Sequence, residues 1–203
     1  TSYSGVIPEN PDYEKFLGFK IFEKRTYNRI VGDKDDIKFL SAEPSLERLE
    51  SMLDEAIVVI KSKVAQEEAA AKKPIKIHLH ILSVLDNSKG SPEQSRIKNV
   101  GAIRDFFLAT YKNKPKYKNI NLQITQKIAS MRDHQIRDLK GDLLDFAVMD
   151  SWLIAHRGHP NSQPGVHQVY NIHCRGGVGR SATAMTCEYI RYNGLLPTDP
   201  ATI

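Results

Sequence analysis

Cysteine is scarce: Cys174 and Cys187 are the two in 203 residues. That count excludes a disulfide-stapled scaffold and points to a reducing compartment. No apolar run approaches the roughly 20 residues of a membrane-spanning helix, and no signal-peptide pattern opens the chain. No Gly-x-Gly-x-x-Gly fingerprint is present, so a dinucleotide fold of that kind has no support. Internal repeats and a clear domain boundary are also missing. Charge of one sign is not in large excess either, with 29 basic against 24 acidic residues and a net +5. So mild a surplus suits an anionic substrate without requiring nucleic acid. Apolar residues make up 40% of the chain, enough for a real core, and the length allows one large domain or at most two small ones.

What the chain does have is one dense stretch, residues 171–187. An apolar strand carrying Val169 and Ile172 runs through His173 and Cys174 into Arg175, Gly176, Gly177, Val178 and Gly179, then into a helix from Arg180. Glycine lets a backbone curl so that successive N–H groups face one centre. A helix starting at Arg180 adds its own N-terminal N–H groups and dipole. The result is a cradle for a tetrahedral dianion. Positive potential there favours the thiolate of Cys174, the reactive form of a cysteine. Arg180 can grip two oxygens with its planar fork. Ser181 brings a hydroxyl near the sulfur, placed to stabilise a departing thiolate. Together they suggest phosphoryl transfer to sulfur. A nucleotide-binding loop of the Lys-Ser/Thr type is excluded, because the residue before Ser181 is arginine.

The rest of the chain reads as alternating helices and strands. Residues 1–43 show no regular pattern; Asp33, Asp35 and Asp36 read as a solvated turn. Pro44 opens a helix over 44–72, with Leu46, Leu49, Leu53, Ile57, Ile60 and Val64 at helical spacing. A strand over 75–85 puts Ile75, Ile77, Leu79 and Ile81 on one face, and His78 and His80 on the other. Two histidines alone make a poor metal site, and no metal or other cofactor is expected. Residues 86–94 read as a loop, and 95–111 as a helix with Ile97, Val100, Ile103, Phe107 and Leu108 inward. Lys112, Lys114, Lys116 and Lys118 then form either a solvated loop or a surface drawing acidic substrates or anionic lipid. A strand over 120–128, a helix over 142–156, a loop over 158–168 and the strand 169–173 complete the order. Such connections suit parallel strands with right-handed crossovers. The expectation is an α/β fold with a mostly parallel sheet flanked by helices, and with the anion cradle at a strand's carboxyl end.

His173-Cys174-Arg175-Gly176-Gly177-Val178-Gly179-Arg180-Ser181 resembles the His-Cys-x5-Arg-Ser/Thr signature of the cysteine-dependent protein tyrosine phosphatase superfamily, with every fixed position filled. The resemblance extends over about residues 133–194. In that family a loop before the signature carries Trp-Pro-Asp-His; Met131-Arg132-Asp133-His134 is similar, with the Trp and Pro replaced. Asp133 lies 41 residues before Cys174. The resemblance implies that Asp133 protonates the leaving oxygen and then activates water, with Asp138 and then Asp142 as substitutes. It implies that Cys174 attacks phosphorus, that Arg180 and the N–H groups from Arg175 to Gly179 hold the oxygens, that Ser181 assists release of sulfur, and that His173 supports the loop. Phosphotyrosine in proteins is the substrate it points to. Lipid phosphatases of the phosphatase-and-tensin type also carry a base after the cysteine, as Arg175 does here. They add a second base mid-loop, where this chain has Val178. A phosphoinositide or dual-specificity enzyme, or a phosphoprotein-binding pseudophosphatase, is the alternative. With no boundary in view, one catalytic domain over 1–203 is expected, shortened at its C-terminus because many relatives continue further; the two cysteines imply that it acts in the cytoplasm or is delivered into a reducing cytosol.

Overall fold

The computed structural model describes residues 27–31, 37–64, 74–131, 165–177 and 179–184. Within them run β1 (Tyr27–Val31), β2 (Ile37–Ser41), α1 (Leu46–Val64), β3 (Ile75–Leu85), α2 (Glu93–Thr110), β4 (Ile120–Ser130) and β5 (Val166–His173). One five-stranded sheet joins the strands in the order β1-β2-β5-β3-β4. β2, β5, β3 and β4 are parallel, and β1 pairs antiparallel with β2 at one edge. The expected α/β architecture with a mostly parallel sheet is present.

Alternation along the strands sorts the side chains. Ile77, Leu79, Ile81, Val169 and Phe39 pack with Leu49, Met52, Leu53, Ala56, Ile57 and Ile60 of α1, and with Val100 and Phe107 of α2. A second cluster gathers Leu40, Leu82, Val84, Ala129, Tyr170, Ile172, Cys174 and Ala184. Both faces of the central strands are therefore covered, the usual condition of a parallel sheet.

α1 begins where its sequence says it should. Pro44 precedes it, and the Ser45 hydroxyl accepts the Arg48 N–H at 3.1 Å, capping the first turn. Glu47 stands in the first turn and Lys61 and Lys63 in the last, as the helix dipole favours. Its start is 46 rather than 44, and Leu46 is exposed rather than inward. Met52 and Ala56 take up the core positions that the apolar spacing alone did not single out.

Four differences from the sequence reading bear on the site. Residues 27–31 and 37–41, read as irregular, are strands. All five residues of β2 are buried, so it has no polar face to alternate against. β5 begins at Val166, taking His167 and Gln168 out of the expected loop. Finally, α2 begins at Glu93, inside the stretch read as loop.

The strand order places the site. Among the described residues β5 is the last strand in sequence, but it lies between β2 and β3. Whatever follows His173 therefore emerges between the segments that follow Ser41 and Leu85.

Candidate active site

The link after β5 closes on itself. Cys174 is 3% exposed, and its Sγ accepts the Gly177 N–H at 3.3 Å and lies 3.3 Å from the Ser181 Oγ. Burial alone would push the thiol up. Hydrogen bonds from the Ser181 hydroxyl and amide and from the Gly177 amide, with the Arg180 charge, outweigh burial and hold it below its ordinary range. The thiolate is thus favoured by the donors that the curled backbone supplies.

Gly177 has φ +78°, a conformation that L side chains rarely adopt. A Cβ there would stand 2.6 Å from the Ala42 nitrogen and 2.7 Å from the Ser41 carbonyl carbon. Glycine is demanded on both counts. Gly176 and Gly179 face open space, so sterics require glycine at one position of the three. Arg175 is exposed, and its carbonyl accepts the Glu43 N–H at 3.3 Å. Val178 lies outside the described residues.

His173 sits under the loop, with no exposed surface. Its Nδ1 is 3.1 Å from the Cys174 carbonyl, which can only accept, so Nδ1 carries the proton. Its Nε2, 2.7 Å from the Ser83 Oγ, then accepts from that hydroxyl. Gln126 Nε2 donates in turn to the Ser83 Oγ at 3.2 Å and to the Ile97 carbonyl at 3.2 Å. Burial lowers the imidazole to about 4; the bond to the Cys174 carbonyl opposes this, and the Arg48 and Arg180 charges add to it. His173 is a neutral prop that fixes the carbonyl of Cys174 from behind.

Arg180 opens a helix and is turned inward, 7% exposed. Its Nη1 and Nη2 donate to the two carboxylate oxygens of Glu93, at 2.6 and 2.7 Å. Nη1 also donates to the Met131 carbonyl at 2.9 Å. Glu93, 8% exposed, accepts the Asp86 N–H at 2.6 Å as well. Burial would raise its carboxyl, but the Arg180 fork and the Asp86 amide hold it below the ordinary carboxylate range. This two-pronged pair fixes the plane of the guanidinium beside Cys174.

Glu93 carries no signal of its role in the local sequence. A buried arginine calls for a carboxylate, and Asp86 and Glu93 were the acids in the segment after β3, but nothing local ranked them. Met131, whose carbonyl meets Arg180, ends the described stretch two residues before Asp133. Asp133, Asp138, Asp142 and Cys187 lie outside the described residues.

No family model matches the chain, and neither a curated protein nor a solved structure matches it. The site therefore rests on its own geometry.

Other groups singled out in the sequence are engaged elsewhere. His78 Nε2 and His80 Nδ1 meet the Thr125 Oγ1 at 3.0 and 3.1 Å, and His80 Nε2 meets the Gln168 Oε1 at 2.6 Å. No group of three metal-ligating side chains occurs among the described residues. Lys114 pairs with Glu50, and Lys116 bridges Glu50 at 2.7 Å and Asp54 at 2.6 Å. Half of the lysine cluster is thereby matched by acids of α1. No helix among the described residues is long and apolar enough to cross a membrane.

Proposed function

We propose that the protein is a cysteine-dependent phosphatase acting on phosphotyrosine in proteins through a phosphocysteine intermediate. The observation that carries this reading is the closed loop: a buried sulfur at a strand's carboxyl end, receiving amide and hydroxyl hydrogen bonds, beside a guanidinium fixed by a buried carboxylate.

In this reading the phosphate dianion docks against the loop N–H groups and Arg180, and Cys174 Sγ lies in line with the ester oxygen. The sulfur lone pair forms the S–P bond as the P–O bond breaks. Asp133 gives its proton to the leaving oxygen. Charge gathers on the three equatorial oxygens, where preorganised donors count most. Water then attacks the phosphocysteine; Asp133 takes its proton, and the Ser181 hydroxyl receives the returning thiolate. His173 keeps the Cys174 carbonyl fixed, so the loop needs no rearrangement between the steps.

Substrate choice follows from the loop's composition. A single base, Arg175, follows the cysteine, and the middle of the loop carries Val178 rather than a second base. That favours a protein phosphoester over a polyanionic headgroup. The deciding experiment is turnover of an aryl phosphate by wild type and by Cys174→Ser, followed by competition between a phosphotyrosine peptide and a phosphoinositide. Loss of turnover in the variant and preference for the peptide support the reading. Wild-type rates in Cys174→Ser would end it.

A further inference from the structure

Two struts rise from the first turn of α2 toward the loop after β5. Glu93 holds Arg180. Arg96, three residues on and so on the same side of the helix, donates from Nη1 to the Glu43 Oε2 at 2.7 Å. Glu43 stands in the link between β2 and α1. Its N–H donates to the Arg175 carbonyl, and its own carbonyl accepts from Arg48 Nη1. The residues before it press on the loop directly, since Gly177 abuts the backbone of Ser41 and Ala42. Ser41 is tied back to β5 by Asn171 Nδ2 at 2.8 Å. The link is thus the wall against which the loop is moulded. Asn171 fixes its start, and Arg48 and Arg96 fix its far end.

We infer that Arg96 is a positioning residue for the anion-binding loop, acting through Glu43 to hold the link 41–43 and with it the N–H groups of residues 175–177. Arg96 touches no reacting atom. Its side chain is 37% exposed and that of Glu43 21%, so the pair is screened and its effect is modest. The kinetic readout rests on the phosphatase reading; the exchange readout does not.

The test compares wild type with Arg96→Gln, Arg96→Lys, Glu43→Gln and the double variant Arg96→Gln/Glu43→Gln. Each Gln variant is expected to weaken inorganic phosphate by about fivefold, read as inhibition of aryl phosphate turnover. KM rises by a similar factor, while kcat changes less than about twofold. Amide exchange at residues 175–177 quickens in the same variants. The double variant is no worse than either single one, because both remove one interaction. Arg96→Lys stays near wild type, since the observed contact is one N–H to one oxygen. A lowered thermal midpoint with phosphate affinity and exchange unchanged makes the pair a surface ion pair alone and overturns the inference; so do additive losses in the double variant. Should wild type neither bind phosphate nor turn over aryl phosphate, the phosphatase reading fails, and exchange at residues 175–177 still decides the role of Arg96.

Discussion

At the carboxyl end of β5, Arg180 and Glu93 form an ion pair almost closed to solvent. The segment feeding the amino end of β4 carries the other cluster, Lys114 and Lys116 against Glu50 and Asp54, with side chains 25–47% exposed. Both clusters set cations against carboxylates within hydrogen-bond distance. Their physical weight differs because water competes for one and not for the other. A buried pair stripped of one partner leaves an uncompensated charge in low dielectric. An exposed pair stripped of one partner leaves a solvated side chain. The lysine cluster is the more conspicuous of the two in the sequence. The arginine, one residue in a glycine-rich turn, carries the organisation of the site.

Breaking the buried pair should have the largest effect. Glu93→Ala is expected to cost about 3–5 kcal/mol in urea unfolding and to abolish phosphate binding, because Arg180 loses its anchor. Acid comes next. His173 has an ordinary pKa of 6.5 lowered to about 4, so the folded chain keeps it neutral while the unfolded chain takes up a proton. Its contribution is complete above about pH 6.5 and is lost as pH falls toward 4. The slope is about 1.4 kcal/mol per pH unit, roughly 3 kcal/mol over the window. Unfolding at stepped pH should show that slope in wild type and a flatter one in His173→Gln.

Glycines sharpen the contrast within the loop itself. Gly177→Ala meets backbone at 2.6 Å and a positive φ, and is expected to lose about 1–3 kcal/mol and most phosphate affinity. Gly176→Ala enters open space and should stay within about 0.5 kcal/mol of wild type. Lys116→Ala belongs with Gly176→Ala at the small end. It should change stability by less than about 1 kcal/mol and leave aryl phosphate turnover as it was.

How far the sequence carried depended on the range of the forces involved. β3, β4 and the two helices show in it because their apolar residues recur at the period of the element. β2 does not show, because Ile37 to Ser41 are buried on both faces and Lys38 interrupts the apolar run. The Cys174–Arg180 loop was legible because its chemistry is local: sulfur, amides, hydroxyl and guanidinium lie within eight residues. Glu93 was not legible, because 87 residues separate it from Arg180 and the sheet order joins them. The same holds for Glu43 and Ser83, which reach the loop only because β5 lies between β2 and β3. Glycine content overstated the steric demand, since Gly177 alone of the three in the loop is required by space and φ.

The chemistry of the site turns on the state of one sulfur. The most direct measurement is the pH dependence of Cys174 alkylation by iodoacetamide, followed on its own peptide by mass spectrometry, with and without inorganic phosphate. A midpoint below the ordinary thiol range, together with slower alkylation when phosphate is present, is the predicted result. A midpoint at or above that range, indifferent to phosphate, would contradict it.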